Sequence, residues 1–325
     1  MKKEEFFKYV KENILAYLPE DYESAHVELR QIPKNNDVIK NAIVVVEKEN
    51  AVAPIIYLDD FYEEHLHHEK LLGAIMTRIA KMVWENRDVE QFGQIQQKFS
   101  DFEYIKSRIV MEVINAGQNK QFLQNIPYSI SEAGSELAII YKVVINEDEE
   151  GRASITVNDE HMKMWNVDVE DLHSYARENS NRICPAEVSS IQDLIGELLP
   201  FDSSEDIYEQ GPNMYVITNK QRMNGASAMF YSDALKDIAE REGNDLFILP
   251  SSIHEVIAVS VDMGSPEELG EMVKEVNKTL SPGEVLSDHV FRFSAEDQKI
   301  KDVTEMSTAN QKIAPATMNN PRHHR

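Results

Sequence analysis

Cysteine, tryptophan, glycine and positive charge are all scarce in this 325-residue chain. The lone cysteine, Cys184, excludes an intramolecular disulfide and fits a small packed residue in a reducing compartment. The scattered glycines form neither a GxxxxGK[ST] phosphate loop nor a GxGxxG fingerprint, so nucleotide cofactors have no support and no cofactor is expected. The two tryptophans, Trp84 and Trp165, read as core or helix-flank residues. No apolar run approaches the roughly 18 residues of a membrane span and no apolar signal segment follows Met1, from which a cytoplasmic location is expected. Basic side chains number 33 against 57 acidic, a net charge of −24, which opposes direct binding to nucleic acid or anionic lipid.

The length is enough to bury a real core and allows about two domains. The acidity is uneven: residues 1–120 carry 21 acidic and 16 basic side chains, residues 121–325 carry 36 and 17. Such an excess reads first as a solvated face, second as a docking surface for a basic partner, third as a nucleic-acid mimic.

Along the chain, Phe6, Phe7, Val10, Ile14, Tyr17 and Leu18 form the stripe of a first helix that Pro19 ends. Strands follow at Ala25–Leu29, Ala42–Val46 and Val52–Leu58, with turns at Asn35-Asn36-Asp37 and Glu49-Asn50. Asp59 or Asp60 is placed to cap a helix buried through Leu72, Ile75, Ile79 and Val83. Phe99, Phe102, Ile105, Ile109 and Val113 predict a further helix, closed by Asn115-Ala116-Gly117. This makes a first subdomain, residues 1–120. The second, residues 121–293, begins with a hairpin over Leu137–Ile145 and Arg152–Val157. Helices follow at Asp168 and over Glu187–Leu199, then an acidic linker, Phe201–Gln210.

From Gly211 to Val261 the local signals agree most closely. A strand over Met214–Thr218 gives way to a polar turn ending in Gly225, a residue able to take positive φ, and then to a helix through Met229, Phe230, Leu235 and Ile238. Leu246–Leu249 reads as a central strand, and Pro250–Glu255 as a corner into Val256–Val261. A helix opening at Ser265-Pro266 and a last strand, Val285–Phe293, complete the pattern, and residues 294–325 read as a flexible tail. The expected class is α+β, with helices packed on mixed sheets. Ile155–Asn158 precedes Leu172 much as Val216–Asn219 precedes Leu235, so a duplicated α/β element is an open alternative to chance.

Three constellations carry candidate chemistry. Ser251, Ser252, His254 and Glu255 bring a hydroxyl, an imidazole and a carboxylate to one corner, although the GxSxG elbow is absent and strand neighbours face opposite ways. Asn219, Lys220 and Arg222 in the preceding turn are candidate anion contacts. His65 and His68, flanked by Glu64 and Glu69 at helical spacing, are candidate metal ligands, without the HExxH pattern or an identifiable third ligand. Asp245 and Asp288-His289 are further polar groups on or beside strands.

The segments Met214–Asn219, Gly225-Ala226 and Leu249–Val256, with Leu137–Tyr141 and Trp165–Leu172, resemble a bacterial family known only as a domain of unknown function, found mainly in anaerobic Gram-positive bacteria. The resemblance covers the chain to about residue 293 and implies no catalytic or ligand residues. The expectation is a cytoplasmic acidic binding protein with an unidentified protein partner. The alternatives are a hydrolase or transferase at the 250–255 corner and an acidic nucleic-acid mimic.

Overall fold

Phe6, Phe7, Val10 and Ile14 are all buried, on α1 (Lys3–Asn13) and the 3-10 turn after it, in the computed structural model. It describes residues 1–46, 53–67, 71–85, 98–148, 151–193 and 213–304. The chain divides into two units, Met1–Tyr104 and Ile105–Arg325.

In the first unit β1 (His26–Pro33), β2 (Ile39–Val46) and β3 (Ile55–Tyr57) form an antiparallel sheet in the order β1-β2-β3. Register pairs Val27 with Val45 and Ile43 with Ile56, so these apolar side chains share one face and pack with the α1 stripe. The turn between β1 and β2 is where expected, with Asn36 and Asp37 at φ 60 and 51, a region that asparagine and aspartate tolerate best among residues with a Cβ. The predicted turn at Glu49-Asn50 lies outside the described residues.

The helical stretch after β3 is divided into α2 (Asp59–His67) and α3 (Leu72–Glu85). The latter buries Ile75, Met76, Ile79, Ala80 and Val83 on the same core. Each such side chain contributes roughly 1.5–3 kcal/mol on full burial, alanine less, so this stripe is the main reason α3 is fixed. Asp59 begins α2, and its carboxylate takes the backbone N–H of Asn41 at 2.6 Å, the Asn41 side chain at 3.1 Å and Lys3 at 2.8 Å. Burial works to raise this carboxyl, but the Lys3 and Asn41 hydrogen bonds outweigh it and hold it below the ordinary aspartate value.

The second unit corrects two expected helices. Phe102–Ile105 is a short helix (α4) running into a 3-10 turn over Lys106–Arg108, and Ile109–Asn115 is β4, a strand buried at every position. A run buried on both faces has no strand period to read, and its spacing imitated a helix stripe. Ala186–Ser190 is β8, so the helix expected from Glu187 begins only at Ile191, with residues 191–193 helical; residues 194–212, which hold the remainder of that helix and the acidic linker, lie outside the described residues.

One sheet of this unit is built on β6 (Gly134–Asp148). It carries β4 on one edge, and β5 (Tyr128–Ser131) then β7 (Gly151–Thr156) along the other. The predicted hairpin is β6–β7. Asn158 caps α5 (Asp159–Trp165), and Asp168 caps α6 (Val169–Ile183) as expected, accepting the Asp171 N–H.

The other sheet has the order β13-β12-β10-β11-β9-β8. Its centre, β10 (Leu246–Leu249), is fully buried between β11 (Val256–Ser260) and β12 (Phe291–Phe293), and β9 (Met214–Asn219) pairs with β11. The expected long final strand is therefore short: Val285 makes only an isolated bridge to Ser252. The tail reading is also corrected, because Ile300–Asp302 forms β13 against β12; residues 305–325 lie outside the described residues.

The helix expected after Gly225 breaks at Ser232-Asp233 into α7 (Ala228–Tyr231) and α8 (Ala234–Glu242). Ser265 caps α9 (Pro266–Asn277), whose Leu269 and Val273 pack on Phe247, Leu249 and Val259. The class is α+β, and every described strand pair is antiparallel. The two similar strand–Asn segments occupy unlike places: β7 pairs with β6 alone, whereas β9 lies between β11 and β8.

Candidate functional site

The 219–225 turn and the 250–255 corner meet, as their common place at the ends of β9 and β10 requires. Thr218 donates its hydroxyl to the His254 carbonyl at 2.8 Å, and Ala226 donates its N–H to the Ile253 carbonyl at 3.1 Å. The Asn224 N–H donates to His254 Nδ1 at 3.2 Å, which fixes that nitrogen as an acceptor. The chain passes this point only because residue 225 is glycine. A Cβ there would lie 2.3 Å from Thr218 Oγ1, 2.6 Å from Asn219 N and 2.7 Å from the His254 oxygen. The positive φ expected at Gly225 falls instead on Arg222 (54) and Asn224 (51).

Within the corner the polar groups serve the main chain. Ser252 Oγ accepts the His254 N–H at 2.9 Å, so it faces the amide of that histidine and not the imidazole. The Ser251 carbonyl accepts from Leu286, and Ile253 donates to Glu284, which lays the corner along residues 284–286. Among the described residues no hydrogen bond of the corner uses the Glu255 side chain. The polar groups also sit on antiparallel strands, so the ligand crevice at the carboxyl ends of a parallel sheet has no counterpart here.

Of the anion candidates, Asn219 closes its own turn, donating to the Met223 carbonyl at 2.8 Å and accepting the Met223 N–H at 3.3 Å. Lys220 is exposed, and the Arg222 guanidinium stands 3.7 Å from Glu187. The Asn224 side chain donates to Glu112 on β4 at 3.1 Å, and Glu112 pairs with Lys142 on β6 at 2.7 Å. The turn is thereby tied to the four-stranded sheet.

His65 stacks on Phe6 with ring centroids 5.6 Å apart, and His68 lies outside the described residues. Among the described residues no group of three His, Cys, Asp or Glu side chains is placed to hold a metal ion. Asp245 binds Arg292 at 2.7 Å and the Ala295 N–H at 2.9 Å. Asp288 accepts from Asn277 at 2.6 Å, and His289 Nδ1 meets Asp302 at 2.6 Å.

A concavity absent from the sequence reading opens between β5 and α6. Its volume is about 480 Å³, and its lining includes Ser129, Glu132, His173 and Arg177 over apolar Ile139 and Phe230. Glu170, His173, Ser174 and Arg177 recur at helical spacing on one side of α6, while Leu172, Ala176, Asn179 and Ser180 bury the other. Behind the lining, the Tyr141 hydroxyl meets Ser129 Oγ at 2.5 Å and His173 Nδ1 at 3.2 Å. Burial, with help from Arg177 and against Glu132, holds the His173 imidazole below the usual histidine range; burial raises the Tyr141 phenol. The Tyr141 contact ties the His173 ring to the sheet, with donor and acceptor set by the imidazole tautomer. The arrangement suits binding: donors and one guanidinium over an apolar floor.

The model of a family of unknown function, DUF5688, matches residues 3–295. The chain belongs to DUF5688. No curated protein and no solved structure matches it. In this DUF5688 chain three of the segments that carried the family resemblance, Met214–Asn219, Gly225-Ala226 and Leu249–Val256, meet around Gly225, while Leu137–Tyr141 and Trp165–Leu172 lie on β6 and about the start of α6. The groove draws on Ser129, Glu132, His173, Arg177 and Phe230, which are far apart in sequence; only the spacing within α6 could have indicated it.

Proposed function

We propose that this DUF5688 chain is a bacterial, cytoplasmic binding protein that engages a protein partner without catalysis of its own. The observation that carries this reading is the use of the 250–255 corner: Ser252 and His254 hydrogen-bond to backbone amides and do not orient one another. A nucleophile and its base need that mutual bond. The acidic excess supplies long-range attraction for a basic partner, an attraction that salt screens.

The test joins two measurements on the full chain. Cross-linking in cells, read by mass spectrometry, is expected to recover a protein partner whose association weakens as salt rises. A panel of ester, phosphoester and peptide substrates is expected to show no turnover that depends on His254. Turnover abolished by a folded His254→Ala variant sinks the reading.

A further inference from the structure

The two edges of the β4-β6-β5 sheet are finished differently, and from this we infer the form of the partner: an extended, basic peptide segment that adds as a strand to β5 and lays side chains into the groove beside α6. The inference rests on the protein-binding reading above.

Along β4 the outward backbone groups are satisfied by side chains. Asn179 donates to the Ile109 carbonyl at 3.0 Å, Ser180 Oγ accepts the Met111 N–H at 2.9 Å, and Asn119 donates to the Asn115 carbonyl at 2.8 Å. All three side chains are buried. These bonds fall on odd-numbered residues, so the even-numbered ones of β4 face β6. On β6 the Tyr141 carbonyl accepts from Val157, which turns the odd-numbered β6 residues toward β5 and β7. Ser129, opposite Ile139, therefore bonds inward, and Tyr128 and Ile130 point their N–H and C=O groups outward.

No described residue bonds to those outward groups, and the two side chains are 40% and 51% exposed. Folded proteins blunt an open edge with charge, proline or a bulge. Here Pro127 precedes β5 and the register shifts between Ile130 and Ser131, so the open stretch is Tyr128–Ile130, and its outward residues are tyrosine and isoleucine. A free N–H and C=O on alternate residues match an extended backbone, and a groove alongside receives alternate side chains, the two components of recognition by strand addition. The groove supplies both, with Ile130, Ile139 and Phe230 for apolar side chains and Glu132 and Glu170 for basic ones. Arg177 is 3.9 Å from Glu132, and the excess of acidic over basic groups in residues 121–325 favours a cationic segment.

The test pans a phage-displayed random peptide library against the full chain and measures an enriched peptide, made synthetically, by titration and residue-resolved amide exchange. Enriched sequences are expected to alternate Lys or Arg with apolar residues and to protect the Tyr128 and Ile130 amides. Ile130→Pro removes an outward N–H while leaving the inward ladder of Ser129, and is expected to weaken binding by about tenfold. Should that substitution disturb the sheet, Glu132→Lys with Glu170→Lys changes exposed side chains alone and is expected to weaken binding by about tenfold at low salt. No enrichment, acidic enriched peptides, protection confined to other residues, or affinity unchanged in the charge variant would each overturn the assignment. A cross-linked partner whose affinity ignores these variants overturns the β5 site and leaves the protein-binding reading standing. Absence of both partner and peptide overturns the two together.

Discussion

Gly225→Ala tests whether the densest stretch of this sequence is a packing device. The added methyl carbon would lie 2.3 Å from Thr218 Oγ1, a side-chain atom that could rotate away only by giving up its 2.8 Å bond to the His254 carbonyl. The other two close atoms, Asn219 N at 2.6 Å and the His254 oxygen at 2.7 Å, are backbone on β9 and on the corner, and cannot move without shifting both. Overpacking of this kind costs about 1–3 kcal/mol, and the lost hydrogen bond about 0.5–1.5 kcal/mol, so a destabilisation of roughly 2–4 kcal/mol is expected. For a unit of this size that corresponds to a fall in Tm of about 4–16 °C. Urea unfolding should show a lower midpoint with an unchanged slope. Gly243→Ala is the control: its φ is +66 with no atom within 4 Å of the added carbon, so it incurs only the left-handed backbone penalty of about 1–2 kcal/mol. Thr218→Ala in the Gly225→Ala background should recover only part of the loss, since two of the three clashes remain. If Gly225→Ala is no more costly than Gly243→Ala, the reasoning is wrong.

Ser180→Ala removes the acceptor for the buried Met111 N–H, and a cost of about 1–3 kcal/mol is expected in the second unit's unfolding transition. A change under 0.5 kcal/mol would show that the β4 edge does not need its cap. Asp59→Ala takes a partner from the Asn41 N–H and from Lys3, with about 1–3 kcal/mol lost in the first unit, followed by tyrosine fluorescence of urea melts. Burial lowers the folded-state values of His161 and His173 below the ordinary histidine value. The unfolded chain therefore takes up protons first as pH drops below about 6.5, so stability is full above that pH and falls as pH descends through the lowered folded values. Urea midpoints at pH 7.5, 6.5 and 5.5 should decline in that order, and His173→Gln should flatten the decline. Midpoints independent of pH across this window would refute the assignment.

The elements legible in the sequence were those whose burial is one-sided or whose start carries a capping side chain. The α1 and α3 stripes, Asp168 before α6 and Ser265 before α9 needed only local rules, because a helix with one buried face writes its period into the chain. The β6–β7 hairpin and β10 were legible for a related reason, as apolar runs bounded by polar turns. Strand β4 was not, since all seven of its positions are buried and Ile105, Ile109 and Val113 by chance keep helical spacing. The three residues of β13 carry no pattern at all; they are a strand because β12 is beside them. The groove was illegible for the strongest reason, its lining being assembled from two strands, two helices and a turn that only the fold brings together.

The same distinction bears on what membership of DUF5688 can mean. The quoted motif residues, Thr218, Asn219, Gly225 and His254, converge where one carbonyl receives a hydroxyl and an α-carbon approaches a backbone too closely for any side chain. Such a knot constrains residue identity through sterics, whatever the protein binds. Of the groove residues, Ser129 and His173 are held by Tyr141 and Ile139 is buried, whereas Arg177 and Glu132 are more than half exposed and are the ones a ligand would constrain most. The family match runs along residues 3–295 and so spans both the knot and the groove. Replacing residues at the groove positions 130, 132, 170, 174 and 177, while leaving buried Leu172 and Ala176 in place, should therefore move peptide preference with little change in Tm.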